Sequence, residues 1–191
     1  VVGNFSFSAD LQTFWAHWIY NRDDPEFKQF LGKTPYIAIW DDHEVRNNFA
    51  GPFDSQMPAG RQALREYWPI CVAPDDPHRF FRTVRAGADL ELFILDTRQY
   101  RSRSADQDGP AKTMLGERQR QWLLSGLAES TATWKVIVTS VPLSISKGGR
   151  AGISGNDGWA GGPDIPGFEW ERQVIVDRIL NRRVKNVVFL A

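Results

Sequence analysis

The sequence predicts an α/β fold in which helices and short strands alternate along the chain. Three observations predict it. Short apolar runs rich in strand formers recur at residues 36–40, 90–95, 134–138 and 186–190. Stretches with apolar residues at helical spacing lie between them. Two of the four strand candidates run directly into aspartate, at Asp41 and Asp96, and α/β folds collect their reactive groups just past the strand C-termini.

The elements follow in order. Asp10 is an N-cap for a first helix, whose stripe is Leu11, Phe14, Trp15, Trp18 and Ile19. A break over residues 21–25 starts a shorter helix through Phe27, Phe30 and Leu31, with Gly32 as its stop. Tyr36-Ile37-Ala38-Ile39-Trp40 reads as a strand. Residues 60–68 read as a helix closed by Pro69. The strand at 90–95 ends in Asp96, and a helix over 115–127 turns Trp122, Leu123 and Leu127 inward. The strand at 134–138 leads into Thr139-Ser140-Val141-Pro142, and a helix over 168–183 precedes the last strand. Between them, seven glycines crowd positions 148–162. A connection that long in a compact domain is a surface loop or a loop that packs over something, and Trp159 and Trp170 favour the second.

Composition removes several function classes. The 191 residues carry 23 basic and 23 acidic side chains, so formal net charge is zero, which gives no strong nucleic-acid footprint. A single cysteine, Cys71, excludes an internal disulfide framework and a cysteine-rich zinc site; after Pro69 it reads as a small buried apolar residue. No apolar run approaches the roughly 18 residues of a membrane span. Eight Trp and twelve Phe point to an aromatic core and aromatic pocket walls. Gly152-Ile153-Ser154-Gly155 is not a serine-hydrolase elbow, and no G-x-x-x-x-G-K-[ST] phosphate loop is present.

The densest chemistry is Trp40-Asp41-Asp42-His43-Glu44-Val45-Arg46-Asn47-Asn48-Phe49. Adjacent carboxylates repel unless protons or a cation compensate. Hard cations take oxygen ligands, and an imidazole adds a nitrogen ligand or a proton donor. A polar turn that caps the next helix is the plainer reading of a generic D-D-H. Arg98, two residues past Asp96, has the planar fork that suits phosphate oxygens, or it forms a salt bridge with Asp96 or Asp106. Arg61 and Arg65, spaced i,i+4, read as a solvated helix face. His17 and His78 read as packed or surface residues, and Asp106-Gln107-Asp108-Gly109 as a turn.

The string from Trp40 to Val45, followed by Asn47-Asn48, resembles the signature of the PhoD-like alkaline phosphatases, within the calcineurin-like metallophosphoesterases. Asp96-Thr97-Arg98-Gln99-Tyr100-Arg101, the 136–143 strand and turn, Asp157-Gly158-Trp159, Glu171-Arg172 and the 185–190 stretch resemble further segments of that family in order. The resemblance spans residues 10–190. It implies an αββα metallophosphoesterase sandwich and the hydrolysis of small phosphate monoesters and diesters by an iron and calcium centre. Carried over, it assigns Asp42 and Asn47 as metal ligands, with Asn48 as an alternative, and His43 as the leaving-group acid; Arg98 stays a candidate substrate contact on the strength of its fork and its place at a strand end. It also implies an extracellular, periplasmic or cell-surface location. Two family elements are missing: a Gly-Asp-x-x-Tyr before Asp41 and a Gly-Asp-x-His after Leu190. The expectation is therefore one partial domain, residues 1–191, of a longer enzyme, inactive when isolated. The alternative is a non-catalytic binding or scaffold domain that keeps the phosphatase fold.

Overall fold

A computed structural model describes residues 10–71, 73–146, 157–162 and 166–191. The glycines at 148, 149, 152 and 155 lie outside the described residues. The described chain is mixed α/β: five α-helices and one four-stranded sheet.

α1 (Leu11–Arg22) begins where expected. The Asp10 carboxylate accepts from the Thr13 amide at 2.8 Å and ties off one orphan donor of the first turn. α2 (Pro25–Lys33) is started by Asp24, with Pro25 in the first turn, where its missing N–H costs nothing. The helix runs through Gly32 and is capped at Thr34, so Gly32 does not stop it. α3 (Met57–Tyr67) starts three residues before Gly60, because Pro58 sits in its first turn.

β1 (Arg82–Ala86) and β2 (Leu90–Ile94) form an antiparallel hairpin in which Arg82 faces Ile94. Gly87 turns it at φ +68°, a left-handed conformation that glycine adopts freely. β3 (Trp134–Val138) and β4 (Val187–Leu190) add parallel strands, giving the order β1-β2-β3-β4. α4 (Gly116–Glu129) and α5 (Glu169–Asn181) are the two crossovers. Both cover the same sheet face, on which Phe93, Ile137 and Phe189 stand in one register row. Leu123, Leu124, Leu127 and Ile175 close that core, and burying each such side chain contributes about 1.5–3 kcal/mol.

Residues 36–40 form no strand and pair with none among the described residues, so the first expected strand is corrected. A strand needs a ladder, and here the Arg82 guanidinium donates to the Ala38 carbonyl at 2.8 Å instead. The sheet edge is held instead by β1, which the sequence reading missed: Arg-Thr-Val-Arg-Ala carries little apolar signal. Cys71 is exposed rather than buried.

A second core lies beside the sheet edge. Phe14, Trp18, Val45, Phe49, Leu64 and Trp68 pack around Trp40 and Phe80. The Trp40 ring meets Phe49 and Phe80 edge-on, with centroids 5.3 and 5.2 Å away, the arrangement that suits aromatic quadrupoles. This core carries the 41–49 turn.

Candidate active site

Four pieces of chain converge where the parallel strands end: the 41–49 turn, residues 96–101 after β2, residues 139–141 after β3, and Asp157 ahead of α5.

The 96–101 segment is the bed. Asp96 is fully buried. Its Oδ1 accepts from Trp40 Nε1 at 2.8 Å, from the Arg98 amide at 3.1 Å and from the Gln99 amide at 3.0 Å, while Oδ2 takes Gln99 Nε2 at 2.5 Å. Burial raises the Asp96 pKa, and these donors oppose the rise. The Gln119 side chain brackets the same residue, accepting from the Asp96 amide and donating to its carbonyl, both at 2.8 Å. Asp96 is therefore a hub that pins Trp40, and with it the start of the polar turn, to the end of β2.

The turn folds largely on itself. The Asp42 carbonyl accepts from the Val45 amide at 3.0 Å, and its carboxylate Oδ2 accepts from the Asn48 amide at 2.8 Å. Asn48 holds φ +55°, a conformation asparagine tolerates better than most residues; its amide thus closes the turn. Glu44 is buried and accepts the Asp41 amide at 2.7 Å. Burial pushes its carboxyl up to about 7. Helix α3 presses on the turn from outside. A Cβ on Gly60 would sit 2.7 Å from Val45 Cγ2 and 3.0 Å from the Glu44 carbonyl, so only glycine allows that approach. Gly51 plays the same part on the other side, its amide donating to the Arg98 carbonyl at 2.9 Å.

Of the residues singled out in the sequence, three come together on the open side of the turn. His43 Nε2 lies 3.2 Å from Asn47 Oδ1 and 3.9 Å from Asp42 Oδ2. The His43 side chain is 40% exposed and that of Asp42 13%. An imidazole, a carboxylate and an amide oxygen thus share one face.

Arg98 is placed differently from the substrate contact that its planar fork suggested. It has no exposed surface. Nε and Nη2 donate to Asp41 Oδ1 at 2.8 and 2.5 Å, and Nη1 and Nη2 donate to Asp157 at 2.9 and 2.7 Å. Burial opposes its charge, but Asp157 and Asp41 outweigh it and raise the Arg98 pKa above the ordinary value. The guanidinium pairs with neither Asp96 nor Asp106; only the Arg98 backbone amide reaches Asp96. Ser140 Oγ adds a hydrogen bond to the same Asp41 oxygen at 3.0 Å and lies 2.5 Å from Thr97 Oγ1. Asp157 and Ser140 are the members of this cluster that sequence reasoning missed. Their signal was position alone, in the D-G-W stretch and the turn after β3.

Arg61 is half-buried and donates to Gln99 Oε1 at 3.0 Å rather than lying on a solvated face, whereas Arg65 is exposed. His78 sits in a turn, its amide on Asp76 Oδ1, and Asp106 closes a turn with Arg103.

A cation would find an incomplete set of donors. Among the described residues no group of three or more His, Cys, Asp or Glu side chains could hold a metal ion. Asp42, Asn47 and His43 offer three donors, where calcium takes 6–8 ligands. They fit one side of a metal site and do not make one alone.

The PhoD-like phosphatase family matches residues 5–191, nearly the whole chain. A curated relative, alkaline phosphatase D of Bacillus subtilis (strain 168), is 30% identical over 194 residues, covering 88% of this chain and 32% of that protein. A solved structure described as that of PhoD superposes with a TM-score of 0.77 at 28% identity, over 94% of this chain and 38% of its own. The chain thus spans about a third of the length of these relatives. With the turn, its buried bed and the strand order all in place, this chain belongs to the PhoD-like phosphatase family.

Proposed function

We propose that the chain carries one wall of the active centre of a metal-dependent phosphatase that hydrolyses small phosphate monoesters and diesters. The observation that carries this reading is the His43, Asp42 and Asn47 trio, with His43 Nε2 only 3.2 Å from Asn47 Oδ1. The family match and the alkaline phosphatase D relative support it.

In this reading Asp42 and Asn47 supply oxygen ligands to a cation, iron or calcium by family resemblance, with further ligands from outside the described residues. A metal there would polarise the phosphoryl group and activate water. The chain's own residues do the rest. His43, exposed on the same face, donates a proton to the leaving alkoxide or phenoxide oxygen. The Asp42 carboxylate, held by the Asn48 amide, keeps the turn in one shape as the ester arrives. Export to the periplasm or cell surface accords with the family; no helix among the described residues is long and apolar enough to cross a membrane.

The test uses the full-length protein that contains this chain. It should retain bound metal through gel filtration and hydrolyse p-nitrophenyl phosphate or bis(p-nitrophenyl) phosphate. His43→Ala should lower kcat about 10²–10⁴-fold, the range of a positioned general acid. A fully folded full-length protein with neither metal nor turnover would overturn the reading in favour of a retained, non-catalytic binding fold.

A further inference from the structure

We infer that Arg98 is a positioning residue, acting with Asp157 as a two-sided clamp that holds the 41–49 turn in its working shape. The inference rests on the function proposed above and assigns a role to residues that do not meet the substrate.

The geometry points there step by step. Burying a guanidinium without exposed surface costs several kcal/mol, recovered only by well-formed charged hydrogen bonds. Arg98 makes four, two to each carboxylate. Its planar fork has one edge on Asp41 and the other on Asp157, a geometry that a lysine point charge cannot reproduce. Among the described residues, the three donors on the Asp41 carboxylate, two from Arg98 and one from Ser140, converge on Oδ1. Asp41 is the residue before Asp42, and its amide is in turn held by Glu44. The torsions that aim Asp42 and His43 therefore start from an anchored residue.

The far jaw is anchored too. Arg101, buried beside Arg98, has Nη1 3.0 Å from Asp157 Oδ1, and its Nη2 donates to the Asp157 carbonyl at 3.3 Å. Arg101 and Lys112 both lie against the Phe168 ring, 4.7 and 4.5 Å from its centre. Lys112 also donates to the Ser104 and Pro166 carbonyls. Asp157 is thereby fixed to the body of the domain near the start of α5. The clamp spans 59 residues of sequence on one side and 57 on the other, so it joins pieces that no local structure would hold in register.

A substrate-binding arginine and a clamp predict different kinetics. A misplacement of about 1 Å at a reacting group costs roughly 100-fold in rate. In the full-length protein, Asp157→Asn, Arg98→Met and Arg98→Lys should each lower kcat by about 10–100-fold with KM changed less than about twofold. The Arg98→Met, Asp157→Asn double variant should be no worse than Arg98→Met alone, because the two act as a unit. In parallel, hydrogen exchange should quicken at the Val45, Asn48 and Phe49 amides in each variant, while the β2–β3 amides keep wild-type protection. If Arg98→Met fails to fold, Asp157→Asn alone carries the test. Wild-type kcat and wild-type exchange in Asp157→Asn would overturn the clamp, as would a raised KM with unchanged kcat in Arg98→Lys. Should the wild-type protein hydrolyse no phosphate ester, the proposed function fails, and the exchange measurement still decides the clamp by itself.

Discussion

The 41–49 turn and the 96–101 segment carry the same kinds of residue and use them in opposite ways. Each follows an apolar run, and each opens with aspartate. In the second segment Asp96, Thr97, Arg98 and Arg101 are wholly buried and bound to partners inside the protein. In the first, His43 is well exposed and Asp42 partly so, and their polar contacts lie within the turn itself. Buried polar groups must be matched, because an unmatched one costs its full desolvation. Groups at an open rim carry no such debt and stay free for a ligand. Proximity of acid, base and amide in a sequence therefore says little about which cluster does chemistry; accessibility separates the bed from the tool.

Three substitutions sharpen that contrast, beginning with the largest effect on stability. Asp96→Asn replaces an acceptor oxygen with an NH₂ group in a site lined by four donor hydrogen bonds; it should cost about 2–4 kcal/mol, read from the urea midpoint at constant m-value. Trp40→Phe removes one donor from Asp96 and keeps the ring contacts with Phe49 and Phe80. It should cost about 1–2 kcal/mol, and a variant as stable as wild type would show that the hub does not hold the turn. His43→Ala touches a side chain already 40% exposed and should change stability by less than about 0.5 kcal/mol while removing activity. Equal losses of stability at Asp96 and His43 would erase the distinction between the two segments.

Much of the fold was legible. The Asp10 cap, the strands β2 to β4 and the helices α4 and α5 announced themselves through local rules of capping and periodicity. The misreadings share a cause. Tyr36-Ile37-Ala38-Ile39-Trp40 has strand composition but pairs with no strand among the described residues, whereas Arg82–Ala86 has weak composition and a ready partner across the Gly87 turn. Pairing is a property of neighbours, and composition only records tolerance for it. The solitary cysteine fell to the same error: a residue type that is often buried is here exposed.

What the sequence alone determined was the chemistry available: a string of acids, an imidazole and amides placed after an apolar run, matching the family to which the chain belongs. That followed because side-chain type and spacing are written in the chain directly. What only the tertiary structure decided was the assignment of duties. Arg98 looked suited to phosphate and lies sealed between Asp41 and Asp157, while Asp96, at a strand end where reactive groups collect, is a closed hydrogen-bond hub. The physical reason is that the role of a charge depends on what desolvates it and what answers it, and here both carboxylates that answer Arg98, and the Trp40 donor to Asp96, stand more than fifty residues away in sequence.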